Sequence, residues 1–161
     1  MMDDDRWMGE ALAEASKAFR KNEVPIGAVV VKDGLVVARG YNKVEARVRV
    51  TAHAEIIAIE AASKRLGDWR LDGCTVYVTV EPCHMCMGAF YLSRVRRVVY
   101  GAKQPRSGAC GSVDSFHEAE LFNHRIEVTG GVREAECLSL LQAFFEGLRS
   151  GDDRRRDARA G

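Results

Sequence analysis

The stretch Cys74-Thr75-Val76-Tyr77-Val78-Thr79-Val80, followed by Glu81-Pro82-Cys83-His84-Met85-Cys86, decides how this chain is read. Its first half is β-branched and aromatic, the pattern of a buried strand. Cys83 to Ser93 then reads as a helix, with Pro82 at the first position, where a missing N–H leaves nothing unpaired. Arg97 to Gly101 is strand-like again. A strand, a helix and a strand joined by short links predict a parallel crossover. Upstream, Ile26 to Val31 and Leu35 to Arg39 flank Lys32-Asp33-Gly34, whose Asp-Gly pair marks a tight hairpin. Arg125 to Thr129 supplies a fifth strand. Helices are predicted from about Asp5 to Asn22, over Ala52 to Leu66 and over Glu134 to Arg149, where apolar residues recur at helical spacing. Tyr41 to Val50 and Lys103 to Ser112 read as loops. The expected architecture is α/β, a three-layer α/β/α sandwich around a five-stranded mixed sheet. One domain spans 1–150, and the charged residues 151–161 are expected to form a disordered tail.

The 161 residues suffice for one full core, and 47% hydrophobic with 29% charged residues is ordinary for a globular domain. A net charge of +1 gives no general attraction to polyanions, so an anionic partner would need a local basic patch. No apolar run approaches about 20 residues, so no membrane span is expected. The opening Met1-Met2-Asp3-Asp4-Asp5 lacks the apolar core of a signal peptide. Five cysteines, an odd number, do not suggest a disulfide framework, and a cytoplasmic setting is expected.

Thr51-Ala52-His53-Ala54-Glu55 supplies an imidazole and a carboxylate two residues apart. Cys83 and Cys86 stand at i and i+3, on one face of a helix and in its first turn, where the helix dipole favours thiolate. His53 and Glu55 can face one pocket only if His53 lies at a helix entrance, with Thr51 near the N-cap. Two helix starts converging on one ion are therefore predicted. His53, Cys83 and Cys86 make three ligands, which leaves a fourth position for water, as in catalytic zinc sites. A redox pair would leave the His-x-Glu motif without a role, and a zinc ribbon would need a second Cys pair that Cys74, Cys110 and Cys137 are too scattered to form. His-x-Glu followed by Pro-Cys-x-x-Cys is the ligand order of zinc deaminases, with the glutamate a proton carrier rather than a ligand. His84 should point away from the ion, and Cys74 should be a core residue.

These residues, together with Glu23-Val24-Pro25-Ile26-Gly27-Ala28-Val29, Gly40-Tyr41-Asn42, Ser107-Gly108-Ala109-Cys110-Gly111-Ser112, Asn123-His124-Arg125-Ile126-Glu127-Val128, Gly130-Gly131-Val132 and Phe144-Phe145, resemble the bacterial tRNA adenosine deaminases of the cytidine deaminase superfamily. The resemblance runs from about Trp7 to Arg149. It implies a homodimer with one zinc ion per subunit, held by His53, Cys83 and Cys86, with Glu55 as proton shuttle. The implied reaction is conversion of adenosine to inosine at the wobble position of a tRNA anticodon stem-loop. By position, Asn42 should contact the nucleoside, Ile26 should wall the base pocket, and Phe145 and Arg149 should meet loop nucleotides. On pattern alone, Ile26 and Phe145 also fit a core, and Arg149 a solvated helix end. Two departures stand out: Arg49-Val50 replaces the usual Asp-Pro before Thr51, and Gln104 replaces an acidic residue, keeping a hydrogen-bond acceptor but losing its charge.

Lys103, Arg106, Arg47, Arg49 and Arg149 could form a phosphate-facing rim. The competing readings are a small-molecule purine deaminase of the same fold, acting on guanine or a nucleoside, and a non-catalytic zinc-bearing partner that docks on RNA. A third is a variant with relaxed choice between RNA and single-stranded DNA. An intact Glu55 argues against the scaffold.

Overall fold

The computed structural model describes residues 2–160, with side chains described for 3–151. The elements run α1 (Met2–Arg20), β1 (Gly27–Lys32), β2 (Leu35–Tyr41), α2 (Val44–Arg47), α3 (Ala54–Leu66), β3 (Thr75–Val80), α4 (His84–Leu92), β4 (Arg97–Ala102), a 3-10 turn (Phe116–Glu118), β5 (Glu127–Thr129) and α5 (Glu134–Ala160). The strand order is β2-β1-β3-β4-β5. β1 is antiparallel to both β2 and β3, whereas β3, β4 and β5 are parallel. The mixed five-stranded sheet and the crossover through α4 thus match the sequence-based expectation.

Alternation along the strands builds the layers. Ala28 and Val30 of β1 face a cluster with Ala54 and Ala58 of α3 and Met87 and Phe90 of α4. Val29 and Val31 face the other way, onto Trp7, Met8 and Ala11 of α1 and Cys137 of α5. α3 and α4 therefore cover one face, and α1 and α5 the other. Cys74 is fully buried in the first cluster, as expected. The β1–β2 turn has Asp33 at φ 49° and Gly34 at φ 71°, the left-handed pair that suits the twist of a two-residue hairpin. Gly40 of β2 lets α3 come close: a Cβ there would lie 2.6 Å from the Ala54 carbonyl oxygen. The first turn of α3, which follows His53, is thereby pressed onto the sheet.

Three features depart from the sequence reading. α2 and the 3-10 turn are too short to leave a periodic signal. The helical backbone of α5 runs on to Ala160, over residues that read in the sequence as a charged tail. Low apolar content signals that a segment has no core to join, but Ala and Arg still favour helix. Side chains beyond residue 151 lie outside the described set.

One polar network fastens α1 across the sheet. Arg97 donates two 2.8 Å hydrogen bonds to the Asp4 carboxylate, and the Tyr77 hydroxyl donates a third at 2.9 Å. The Arg97 bond holds the Asp4 carboxyl below its ordinary range against the opposing effect of burial. A depressed folded value means that this stabilisation is present above about pH 4 and is lost as pH falls through the folded pKa. Replacing Asp4 by Asn should cost on the order of 2 kcal/mol at pH 7. The stability gap to the parent, measured by thermal melts, should shrink below about pH 4; a gap independent of pH would contradict the role given to this pair.

Candidate metal and substrate site

Two helix starts meet at the C-terminal edge of β3. His53 is the N-cap of α3, with extended backbone (φ −71°, ψ 150°), and Cys83 is the N-cap of α4 (φ −79°, ψ 173°). The caps differ from the sequence reading by position: Thr51 lies before the cap, and Pro82 precedes Cys83 rather than opening the helix. Extended backbone at a cap turns the side chain away from the helix axis, which lets His53 and Glu55 both reach the cysteine pair although they are two residues apart. Cys86 sits in the first turn of α4 and is fully buried.

The ligand atoms of His53, Cys83 and Cys86 all lie within 4.8 Å of one another. His53 Nδ1 is 3.7 Å from Cys83 Sγ and 3.6 Å from Cys86 Sγ. Two ligands bound tetrahedrally at ordinary zinc–nitrogen and zinc–sulfur lengths would stand about 3.6 Å apart. The donor set and its spacing therefore fit a tetrahedral ion with one position left over. The thiols also fit a cation electrostatically. The Cys83 thiol is pulled down, first by the hydrogen bond from Cys86 and then by His53. The Cys86 thiol is pushed up, because it shares that bond with Cys83 and is buried. A divalent ion would hold both as thiolates. The bond to Cys83 also raises His53 against the effect of its burial.

Glu55, in the first turn of α3, is 4% exposed. Burial pushes its carboxyl up to about 7, a suitable range for taking and returning protons near neutrality. His84 points elsewhere, pairing with Asp114 at 2.6 Å.

The expected substrate residues fall into two groups. Ile26, Asn42 and His53 line one cavity of about 210 Å³, together with Glu23 and Val24. Gln104, Arg106, Phe145 and Arg149 line a larger cleft of about 700 Å³, with Lys103 and Val24. Val24 belongs to both linings, so the two spaces adjoin. Phe144 is buried at 8%, while its neighbour Phe145 is 43% exposed at the cleft. Arg47 and Arg49 are exposed but belong to neither lining. Gln104 Oε1 accepts from the Arg106 amide at 3.4 Å, so this side chain braces its own loop.

Two residues were missed by the sequence reading. Glu23, 1% exposed, accepts from the Ala46 amide at 2.7 Å and the Glu45 amide at 3.3 Å, and from Asn42 Nδ2 at 3.4 Å. It orients the Asn42 amide and fixes the start of α2. Glu81, 2% exposed, receives hydrogen bonds from the 103–112 loop. The one available signal was a lone glutamate beside apolar residues and a proline.

The family profile of MafB19-like deaminases matches residues 2–149. A tRNA-specific adenosine deaminase of Bacillus subtilis (strain 168) is 51% identical over 149 residues, which cover 92% of each chain. A chain solved in work on A-to-I editing by tRNA:A34 deaminases at the wobble position superposes with a TM-score of 0.81 at 44% identity, covering 84% of this chain and 99% of that one. A guanine deaminase from Nitrosomonas europaea superposes with a TM-score of 0.73 at 27% identity, covering 87% of this chain and 83% of its own. With its ligand triad, buried glutamate and these likenesses, the chain belongs to the MafB19-like deaminase family, in its tRNA-specific adenosine deaminase group.

Proposed function

We propose that this chain hydrolyses adenosine to inosine at the wobble position of a tRNA anticodon loop, as a zinc enzyme. The observation that carries the chemistry is the buried Glu55 beside a three-ligand cluster whose geometry leaves one position open. The adjoining cleft, with Lys103, Arg106 and Arg149 around Phe145, supports a nucleic-acid loop over a free base. The reading includes one zinc ion per subunit, a homodimer and a cytoplasmic setting, each carried by the family resemblance. Among the described residues no helix is long and apolar enough to cross a membrane.

His53, Cys83 and Cys86 would hold the ion, which as a Lewis acid lowers the pKa of water toward neutrality. Glu55 accepts the proton of the attacking water and hands it to a ring nitrogen as water adds to the amine-bearing carbon. It then takes the remaining proton from the added hydroxyl and passes it to the departing amine; the carbon–nitrogen bond breaks, ammonia leaves and inosine remains. Asn42, held by Glu23, contacts the nucleoside, and Ile26 walls the base. Phe145 offers a face for a neighbouring base, and its exposure at the cleft leaves that face accessible. The target base must leave its stack to enter a cavity of this size, and a hairpin loop presents bases already splayed.

Glu55→Ala should keep one zinc per subunit, read by metal analysis, and lose activity by roughly 10²-fold or more. Cys83→Ala should lose the metal. Turnover near the parent's in Glu55→Ala, or full zinc retention in Cys83→Ala, would overturn these assignments.

The substrate is tested by incubating the protein with a synthetic anticodon stem-loop carrying a wobble adenosine, beside free adenosine, guanine and cytidine. Inosine should form in the loop. Three cations on a single strand should give a slope of about −2 for log affinity against log salt. Turnover of a free base or nucleoside alone, with binding indifferent to salt, would refute the RNA reading.

A further inference from the structure

Glu81 has no part in the chemistry above, yet it is the most densely hydrogen-bonded carboxylate beside the site. It is 2% exposed and lies between the end of β3 and the Pro82-Cys83 corner. Its carboxylate accepts from the amides of Gln104 at 3.0 Å, Cys110 at 2.9 Å and Ser112 at 3.0 Å, and from the Ser112 hydroxyl. All four donors belong to one loop. The loop is also stitched to the corner by its backbone, through the Ala109 amide to the Pro82 carbonyl at 2.8 Å and a bridge between Cys83 and Gly108. Gly108 lies against the carboxylate so closely that a Cβ there would collide with it. The outer part of the same loop, Lys103 to Ser107, forms one wall of the 700 Å³ cleft.

We infer that Glu81 is a positioning residue for substrate: its carboxylate clamps the 103–112 loop onto the metal-bearing corner, so that Gln104 and Arg106 stand at a fixed distance from the reacting base. The inference rests on the proposed RNA reading for its substrate, but not for its geometry. An ionised carboxylate is the one side chain that can accept several converging N–H and O–H donors without donating in return. Without it the Cys110 amide would be buried and unpaired and the half-buried Gln104 and Ser112 amides would lose their acceptor, and the loop would open rather than bear that cost. Glu81 therefore acts on binding, while Glu55 acts on turnover.

The test compares the parent with Glu81→Gln, which keeps the shape but turns an NH₂ toward the loop donors, and with Ser112→Ala, which removes a single hydroxyl donor. Zinc content, amide hydrogen exchange, and KM and kcat on the anticodon stem-loop are read for each. Glu81→Gln should keep one zinc per subunit and raise KM roughly tenfold, with a smaller fall in kcat. Exchange of the Gln104, Cys110 and Ser112 amides should speed up, and Ser112→Ala should move the same readouts less far. Exchange needs no substrate, so it tests the clamp even if the parent itself fails to edit the stem-loop, a result that would instead sink the RNA reading. Unchanged exchange and KM in Glu81→Gln would overturn the proposal. So would loss of zinc in step with activity, which would make Glu81 a support of the metal corner; should Glu81→Gln not fold, unaltered exchange in Ser112→Ala would do the same.

Discussion

The structure depends on bringing two helix N-termini to one point. His53 caps α3 and Cys83 caps α4, and their ligand atoms must stand within a few ångströms, with Cys86 one turn along α4. Neither helix can meet that constraint alone. α3 is held against β2 by the space left at Gly40, and α4 is delivered by the parallel crossover from β3 to β4. The sheet order places both helices on the same face. Helix starts also carry unpaired N–H groups and a partial positive charge, so thiolates are favoured where the fold sets them.

The same geometry divides labour among the carboxylates near the site. Glu55 is buried, and that burial pushes its carboxyl up toward neutrality, which suits it to moving a proton. For Glu81, burial alone would raise the pKa, but the bonds from Ser112, Gln104 and Cys110 outweigh it and hold the carboxyl low. One glutamate is kept close to its protonation point, and the other is kept charged as an acceptor. Glu23 resembles Glu81 in its use, fixing backbone amides and the Asn42 amide beside the smaller cavity.

Much of this was legible in the sequence, because the signals were local. Cys83 and Cys86 at i and i+3 and the Asp33-Gly34 hairpin need only their neighbours to be read. The helix starts were displaced by a residue or two, since spacing marks a helix but not which extended residue caps it. Phe144 and Phe145 could not be ranked by pattern, as adjacent positions at a helix boundary face differ only once the sheet is in place. Glu23 and Glu81 left only a faint mark, a lone glutamate beside apolar residues and a proline. A glutamate reads as solvent-facing, and each is buried by donors that lie some twenty or more residues away in sequence. Arg49 and Gln104 depart from the family pattern; Arg49 is exposed and Gln104 is half-buried, bracing its own loop.

The measurement closest to the centre of this account is X-ray absorption at the zinc edge of the purified protein. The account predicts two sulfur ligands, one imidazole nitrogen and one further light atom from solvent. A sphere of three or four sulfurs, or one closed by a second histidine, would mean that the fourth position is not open, and the catalytic reading of the site would fall with it.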